Sequence, residues 1–292
     1  MGDAGGVTDT EGPYGTLIDT QLRVLTWNIW WRFGPWEARR PAIAATLARL
    51  DADVICLQEV WEEGDVSFAE ELAAGLGFHP AFGARLDIDG VRFGNAVLSR
   101  WPIVGSDVLA LPADKLVEEL RTCVRADIDG PRGPLQVFST HLNWRFDQSA
   151  TRQDQVRSIC RFIASSRPEE GRAYPPILCG DFNAEPESDE IRFLSSLAAL
   201  DGRTTFYQDA WRVAGDGTPG FTQDWRTNPI AAGLNVHRKR IDYVFVGDPY
   251  TRVGNAGRVL TAELAFHTER TGVMASDHAG LVVDIVWPHR PG

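Results

Sequence analysis

Repeatedly in this chain, a nearly continuous apolar run stops on a side chain able to bind a cation, donate to an anion or move a proton. QLRVLTWNI stops near Asn28, DADVICLQEV near Glu59, GPLQVFSTHL near His141, and PPILCGDF on Asp181 with Asn183 two residues on. RIDYVFVG carries Asp242 two residues after its start, and Asp277 and His278 stand just before AGLVVDIVW. Short apolar runs of this kind read as strands buried on both faces. Strand ends are where a rigid sheet can aim side chains into a shared cleft. Taken singly, each of these residues is ordinary: an Asn after a strand is a turn residue, and an Asp-His pair is a loop ion pair or a cap.

The rest of the chain supplies helices to cover such strands. WEARRPAIAATLARL has Ile43, Leu47 and Leu50 at helical spacing, and SFAEELAAGL opens with a capping box from Ser67 to Glu70 and closes near Gly75 and Gly77. GNAVLSRWPIVGSDVLAL, RTCVRADI and GPLQVFSTHL read as consecutive strands broken by Trp-Pro and by DGPRGP. DQSATRQDQVRSICRFIASS returns to helical period on Val156, Ile159, Cys160 and Ile163. SDEIRFLSSLAAL reads as another helix, residues 201–239 as a long irregular region, and RIDYVFVG, AGRVLTAELAF and AGLVVDIVW as closing strands. Runs of strands with interspersed helices predict two packed sheets covered by helices. Residues 1–20, Gly-rich and polar, read as a disordered lead-in, and residues 21–288 as a single domain, a size one core can fill.

Charge narrows the partners. The 292 residues carry a formal charge of −11, which opposes attraction to a polyanion, so extended duplex DNA is a disfavoured partner. Only Lys115 and Lys239 are lysines, so 27 of the 29 basic residues are arginines, a bias that reads as bacterial and carries no mechanism. Cys56, Cys123, Cys160 and Cys179 lie in apolar runs without C-x-x-C pairing and read as reduced core thiols. The N-terminus shows neither a basic nor an apolar signal region and no run reaches transmembrane length, so the expected location is the cytoplasm.

The order TWN, LQE, GNAVLSR, STHL, GDFN, RIDYVF, SDH resembles the motif order of the endonuclease/exonuclease/phosphatase superfamily, built on the deoxyribonuclease I fold. The resemblance spans residues 22–286. It implies a four-layered α/β/β/α sandwich, two mixed β-sheets flanked by helices, with a cleft at one edge. It also implies a Mg²⁺-dependent phosphoesterase, with Mn²⁺ as the alternative ion and a phosphate ester as substrate.

By that resemblance Glu59 is the first metal ligand, with Asn28 and Asp277 beside the ion, directly or through water. A hard cation that keeps several waters needs few carboxylates. Asp181 holds or activates the attacking water and Asn183 hydrogen-bonds a phosphate oxygen. If Asp181-Phe182-Asn183 is extended, both polar side chains share a side and Phe182 faces the core. Asp242 orients His278, and His141 donates to the phosphate. Either Asp181 or His278 takes the proton from water; both readings predict in-line attack without a covalent intermediate. His79, His237, His267 and His289 match no motif.

Substrate choice in such a fold resides in the loops. Trp30, Trp31, Phe33 and Trp36 follow a metal-site residue, Trp144 follows STHLN, and Trp225 lies in the irregular region. Trp30 and Trp144 are the substrate-wall candidates, against the alternative that each is a core plug. Asn95 either lines the groove or satisfies backbone groups. Arg32, Arg92, Arg145 and Arg238 are phosphate-contact candidates by position, against a solvated surface face. The leading reading is a small-molecule or nucleotide phosphodiesterase or phosphatase. A nuclease, a sphingomyelinase-like lipid phosphodiesterase that would need a membrane-facing apolar loop, and a non-enzymatic binding module are the alternatives.

Overall fold

In a computed structural model of the chain, which describes residues 10–12, 15–17, 20–113, 119–167, 174–234, 237–247, 255–265 and 272–288, side-chain alternation along the strands builds the layers. Where a structureless lead-in is expected, β1 (Thr10–Gly12) and β2 (Gly15–Leu17) pair antiparallel, the reversal flanked by Gly12 and Gly15. The elements that follow are β3 (Gln21–Asn28), α1 (Trp36–Leu50), β4 (Val54–Glu63), β5 (Val66–Ser67), α2 (Phe68–Leu76), β6 (His79–Ile88), β7 (Val91–Ser99), β8 (Ile103–Ala110), β9 (Thr122–Gly130) and β10 (Gly133–His141). The second half adds α3 (Ser149–Ser166), β11 (Ile177–Asp181), α4 (Asp189–Leu194), β12 (Tyr207–Asp209), α5 (Ala210–Ala214), α6 (Pro229–Ala232), β13 (Asp242–Gly247), β14 (Val259–Ala265) and β15 (Gly280–Val286).

Two mixed sheets result, ordered β14-β15-β3-β4-β7-β6 and β12-β13-β11-β10-β9-β8, with β5 paired to β4. The β3–β4 and β10–β11 pairings are parallel and their neighbours antiparallel. In β3, Leu22 and Val24 point into the core between the sheets, while Leu25 and Trp27 point to the layer of α1 and α2. In β11, Ile177 and Cys179 meet that same central core and Leu178 packs under α3 and α4 with Val156, Ile159 and Ile191. Strands with apolar side chains on both faces demand this double covering. The α/β/β/α sandwich is therefore as expected.

Some elements depart from the reading. β6 carries no apolar run because it is an edge strand with mostly exposed or half-exposed side chains. The helix expected over SDEIRFLSSLAAL stops at Leu194, with Ser196 in a left-handed conformation (φ 61°). Residues 201–234 are less irregular than expected, holding β12, α5 and α6. α2 is capped as predicted: the Glu70 amide donates to Ser67 Oγ, and Gly77 (φ 71°) closes it. Cys56, Cys123 and Cys179 are free and buried and Cys160 is partly buried, as expected of core thiols. Among the described residues no helix is long and apolar enough to cross a membrane.

Candidate active site

Period two carries the central core's alternation straight into the site. In β3 the inward positions run Leu22, Val24, Thr26, Asn28; in β4, Val54, Cys56, Gln58; in β10, Leu135, Val137, Ser139, His141. Ile177 and Cys179 precede Asp181 on one side of β11, and Asp242 shares a side of β13 with Val244 and Val246. Register then aligns them. His141, Asp181 and Asp242 are direct cross-strand partners in one sheet, and Asn28, Gln58 and Asn95 are direct partners in the other. Two polar rows therefore face each other at one edge of the sandwich. Beneath them Thr26 Oγ1 donates to Gln58 Oε1 (3.4 Å) and Gln58 Nε2 donates to Ser139 Oγ (3.2 Å), a polar layer that seals the apolar core.

Glu59 does not end a strand. It is the extra residue of a bulge inside β4, between Gln58 and Val60, with φ 57°. Val60 packs on the helix-side core, so the bulge turns Glu59 out of that layer. The Asn28 amide donates to Glu59 Oε1 and to Asp181 Oδ2, both at 3.0 Å, bridging two carboxylates on different sheets. Glu59 Oε2 is buried without a hydrogen-bond partner. Burial, reinforced by the charge of Asp277, pushes the Glu59 carboxyl up to about 7.

Asn183 is not extended: φ is 48°, and its backbone amide donates to Asp181 Oδ1 at 2.9 Å, a local turn that replaces the expected tripeptide geometry. Phe182 nevertheless faces the core. Burial alone would raise Asp181, but the His141 and His278 rings and the hydrogen bonds from Asn28 and Asn183 hold its carboxyl below the usual range. Asp242 Oδ2 accepts from His278 Nδ1 at 2.8 Å. His278 Nε2 lies 3.9 Å from Asp181 and 4.0 Å from Asp277. Burial would lower His278, but Asp242 above all, then Asp277, drives it up to about 10, while burial raises the Asp242 carboxyl itself, so the two groups hold one proton tightly between them.

His141 is the opposite case. Arg121 Nη1 donates to its Nδ1 at 2.9 Å, and because a guanidinium has no acceptor, Nδ1 must accept and Nε2 carries the proton. Burial, then the Arg121 charge, pushes His141 well below the usual imidazole range. Its Nε2 lies 3.5 Å from Asp181 and 2.9 Å from the Asn183 side-chain amide, which, unlike a guanidinium, can turn its oxygen to the ring and accept the Nε2 proton. Two histidines in one cleft are thus pushed in opposite directions.

Arg121 and its ion-pair partner Glu119 are residues that sequence reading missed. The available signal was a cation at the mouth of the apolar run RTCVRADI. Gln223 and Lys239, joined by backbone hydrogen bonds in both directions, also line the cavity, and no local pattern marks that pairing. Gln223 Nε2 donates to Asp277 Oδ2 at 3.3 Å. Arg39, fully buried, donates to the carbonyls of Ile29, Trp30, Trp31, Phe33 and Ala275, and so fixes both the loop after Asn28 and the segment before Asp277.

A 430 Å³ cavity opens over this floor, and Trp30 and Trp144 line it as expected. Asn95 does not: its amide donates to the Thr122 carbonyl (2.9 Å) and hydroxyl (3.2 Å), tying the two sheets together, which is the backbone-satisfying alternative. Trp31 and Trp36 pack on the helix-side core, and Trp225 stands outside the cavity. Arg32, Arg92 and Arg238 are held by Glu63, Glu62 and Asp224, and Arg145 lies over Trp144, so none of the four reaches the floor. His79 and His237 are exposed; His267 and His289 lie outside the described residues.

The donor set can hold a divalent cation. Asp181, Asp242 and His278 place ligand atoms within 4.8 Å of one another; Asp181 Oδ2 accepts from Asn28 and Asp242 Oδ2 from His278, while Asp242 Oδ1 is buried without a partner. Glu59 Oε2 is likewise buried without a partner, and burial pushes the Asp277 carboxyl up, as expected of hard oxygen ligands kept from other donors.

Comparison with known proteins agrees with this geometry. The family model described as "Endonuclease/Exonuclease/phosphatase family" matches residues 25–278. An inositol phosphosphingolipids phospholipase C of Schizosaccharomyces pombe is 25% identical over 264 residues, 77% of this chain and 60% of that protein. The chain spans less than two thirds of the length of that relative. The crystal structure of an endonuclease/exonuclease/phosphatase from Beutenbergia cavernae superposes with a TM-score of 0.68 at 24% identity, covering 91% of this chain and 71% of that one. D. rerio TDP2 complexed with single strand DNA product gives 0.70 at 20% identity over 91% and 99%. These structural likenesses bear on the fold.

Proposed function

Because the chain belongs to the endonuclease/exonuclease/phosphatase family, a family of phosphoesterases and nucleases, we propose that it hydrolyses a small-molecule or nucleotide phosphate ester by in-line attack of water, with Mg²⁺ or Mn²⁺ as cofactor. The observation that carries this is the unpartnered, buried Glu59 oxygen among facing rows of acids and histidines. Glu59 and Asp277 would hold the cation, with the Asn28 amide fixing the Glu59 carboxylate. When bound, such an ion polarises a phosphoryl oxygen and offsets charge on the leaving oxygen.

The chain's own groups then divide the work. Asp181, ionised and reached by two donors, orients the water and takes its proton. His278, driven up and clamped by Asp242, is the less suited of the two to act as base and instead stabilises negative charge at the transferring phosphoryl group. Neutral His141, its Nδ1 occupied by Arg121, presents Nε2–H to a phosphoryl oxygen beside the Asn183 amide. No side chain in this arrangement is placed as a nucleophile, so the proposal includes no covalent intermediate. Each matched catalytic position is filled by a group suited to its task, which favours an enzyme over a binding module.

The experiment is turnover of bis-p-nitrophenyl phosphate, nucleotides, phosphosugars, sphingomyelin, and single- and double-stranded DNA and RNA by wild type and Asp181→Ala, each with Mg²⁺, Mn²⁺ or EDTA. Metal-dependent turnover lost in the variant is the expected result. Turnover equal in the two proteins, or no turnover of any substrate, would contradict the reading.

A further inference from the structure

The cavity has two chemically different halves. Its floor is the polar cluster described above; its outer wall is Phe33, Leu86, Ile88, Trp144, Phe146 and Leu234. Five of these six are among the large apolar side chains left open to solvent, with Phe146 64% and Trp144 54% exposed. Exposed apolar groups scattered singly need no explanation, but a contiguous set around the mouth of a site marks a binding surface. None of them is needed to hold the catalytic floor, whose hydrogen bonds are made by other residues.

The wall's counterpart is a shortage of cations. Among the described residues lining the cavity, Arg121 and Lys239 are the side chains of fixed positive charge. Arg121 is paired with Glu119, and Lys239, buried, lies with its ammonium 5.0 Å from the centre of the Phe146 ring. A polymer with a phosphate at every residue would need a track of such charges, and this mouth offers apolar surface instead.

We propose that the substrate of this site carries a single phosphate ester joined to a bulky apolar arm, aliphatic or aromatic, and that Phe33, Ile88, Trp144, Phe146 and Leu234 seat that arm while the floor holds the phosphate. This rests on the hydrolase reading above and deepens it. Aliphatic Ile88 and Leu234 and the rings of Phe33, Trp144 and Phe146 present complementary surfaces for either kind of arm, and burying such an arm lowers KM and selects substrates by its size.

The test uses p-nitrophenyl phosphodiesters that share one leaving group and differ in the second arm: methyl, octyl or phenyl, each below its critical micelle concentration. In wild type with Mg²⁺ or Mn²⁺, kcat/KM for the octyl or the phenyl ester should exceed that for the methyl ester on the order of tenfold or more. A preference for octyl places the source among lipids, and one for phenyl among nucleosides and other aryl esters. Phe146→Ser and Leu234→Ser, at exposed positions where folding is little affected, should each shrink the apolar-to-methyl ratio severalfold. Ratios near one in wild type would overturn the proposal and leave the hydrolase reading standing. If none of the esters turns over, the hydrolase reading fails, and calorimetry with octyl-, phenyl- and methylphosphonate still decides the wall. Tighter binding of either bulky phosphonate than of methylphosphonate supports it, and equal binding of all three overturns it.

Discussion

At the scale of single residues, the site works by giving chemically similar groups different charge states. Glu59, pushed up to about 7, and Asp181, held below the usual carboxylate range, are carboxyls bridged by one Asn28 amide. Removing the proposed base through Asp181→Asn should lower kcat on the order of 10²–10⁴-fold. The variant should fold with a modest loss of stability, since the amide oxygen can accept from Asn28 or from the Asn183 backbone but not from both. Steady-state kinetics beside a thermal melt checks both. His278 provides a pH signature in metal-free protein. Its folded-state value of about 10 lies above the ordinary 6.5, so its stabilising contribution is complete below about pH 6.5 and is lost as pH rises towards 10. The stability difference between wild type and His278→Asn in EDTA, from urea unfolding, should therefore shrink across that window by on the order of a few kcal/mol. A difference that stays flat would contradict the raised His278 value.

At the scale of elements, the site depends on how closely strands and loops are drawn together. Gly180, between Cys179 and Asp181 in β11, has φ +155°, and a Cβ there would sit 2.1 Å from the Thr140 carbonyl oxygen. Gly180→Ala should cost about 3 kcal/mol and displace His141 from Asp181; urea unfolding reads the first effect and kcat the second. Arg39 is a similar constraint at the loops. Arg39→Lys should fail to rescue Arg39→Ala in melting temperature, because a compact ammonium cannot reach carbonyls spread from Ile29 to Ala275. The same elements show what was legible in the sequence. Runs such as VICLQ and ILCGD name buried strands, and their polar ends name Asn28, His141, Asp181 and Asp242. Register is invisible in one sequence, so the alignment of His141, Asp181 and Asp242 in one row was not readable. Nor was the bulge that re-aims Glu59, which depends on how β4 pairs with β7. Polar β6 was hidden as an edge strand, and Gln223 with Lys239 is a contact across a Gly- and Thr-rich segment with no periodic signal.

At the scale of the molecule, both sheets contribute to one central core: Val24, Val54 and Val283 from one, Val124, Val137 and Val244 from the other. Residues 21–288 should therefore unfold as a single cooperative unit, with far-UV and near-UV circular dichroism losing signal together; separated transitions would divide the sandwich into independent halves. The catalytic edge draws rows from both sheets, so the site exists only when they are packed. Glu59, Asp181, Asp242 and Asp277 gather at this edge, and Glu59 Oε2 is buried there without a hydrogen-bond partner.

The central claim is that a divalent cation held by Glu59 is needed for ester hydrolysis at this edge. The most direct test is hydrolysis of bis-p-nitrophenyl phosphate by wild type and Glu59→Gln across a Mg²⁺ titration from EDTA upward. Wild type should be inactive in EDTA and saturate with Mg²⁺, while Glu59→Gln should need on the order of 10–100-fold more Mg²⁺ or stay inactive. Activity that persists in EDTA, or a Mg²⁺ dependence unchanged in Glu59→Gln, would contradict the account.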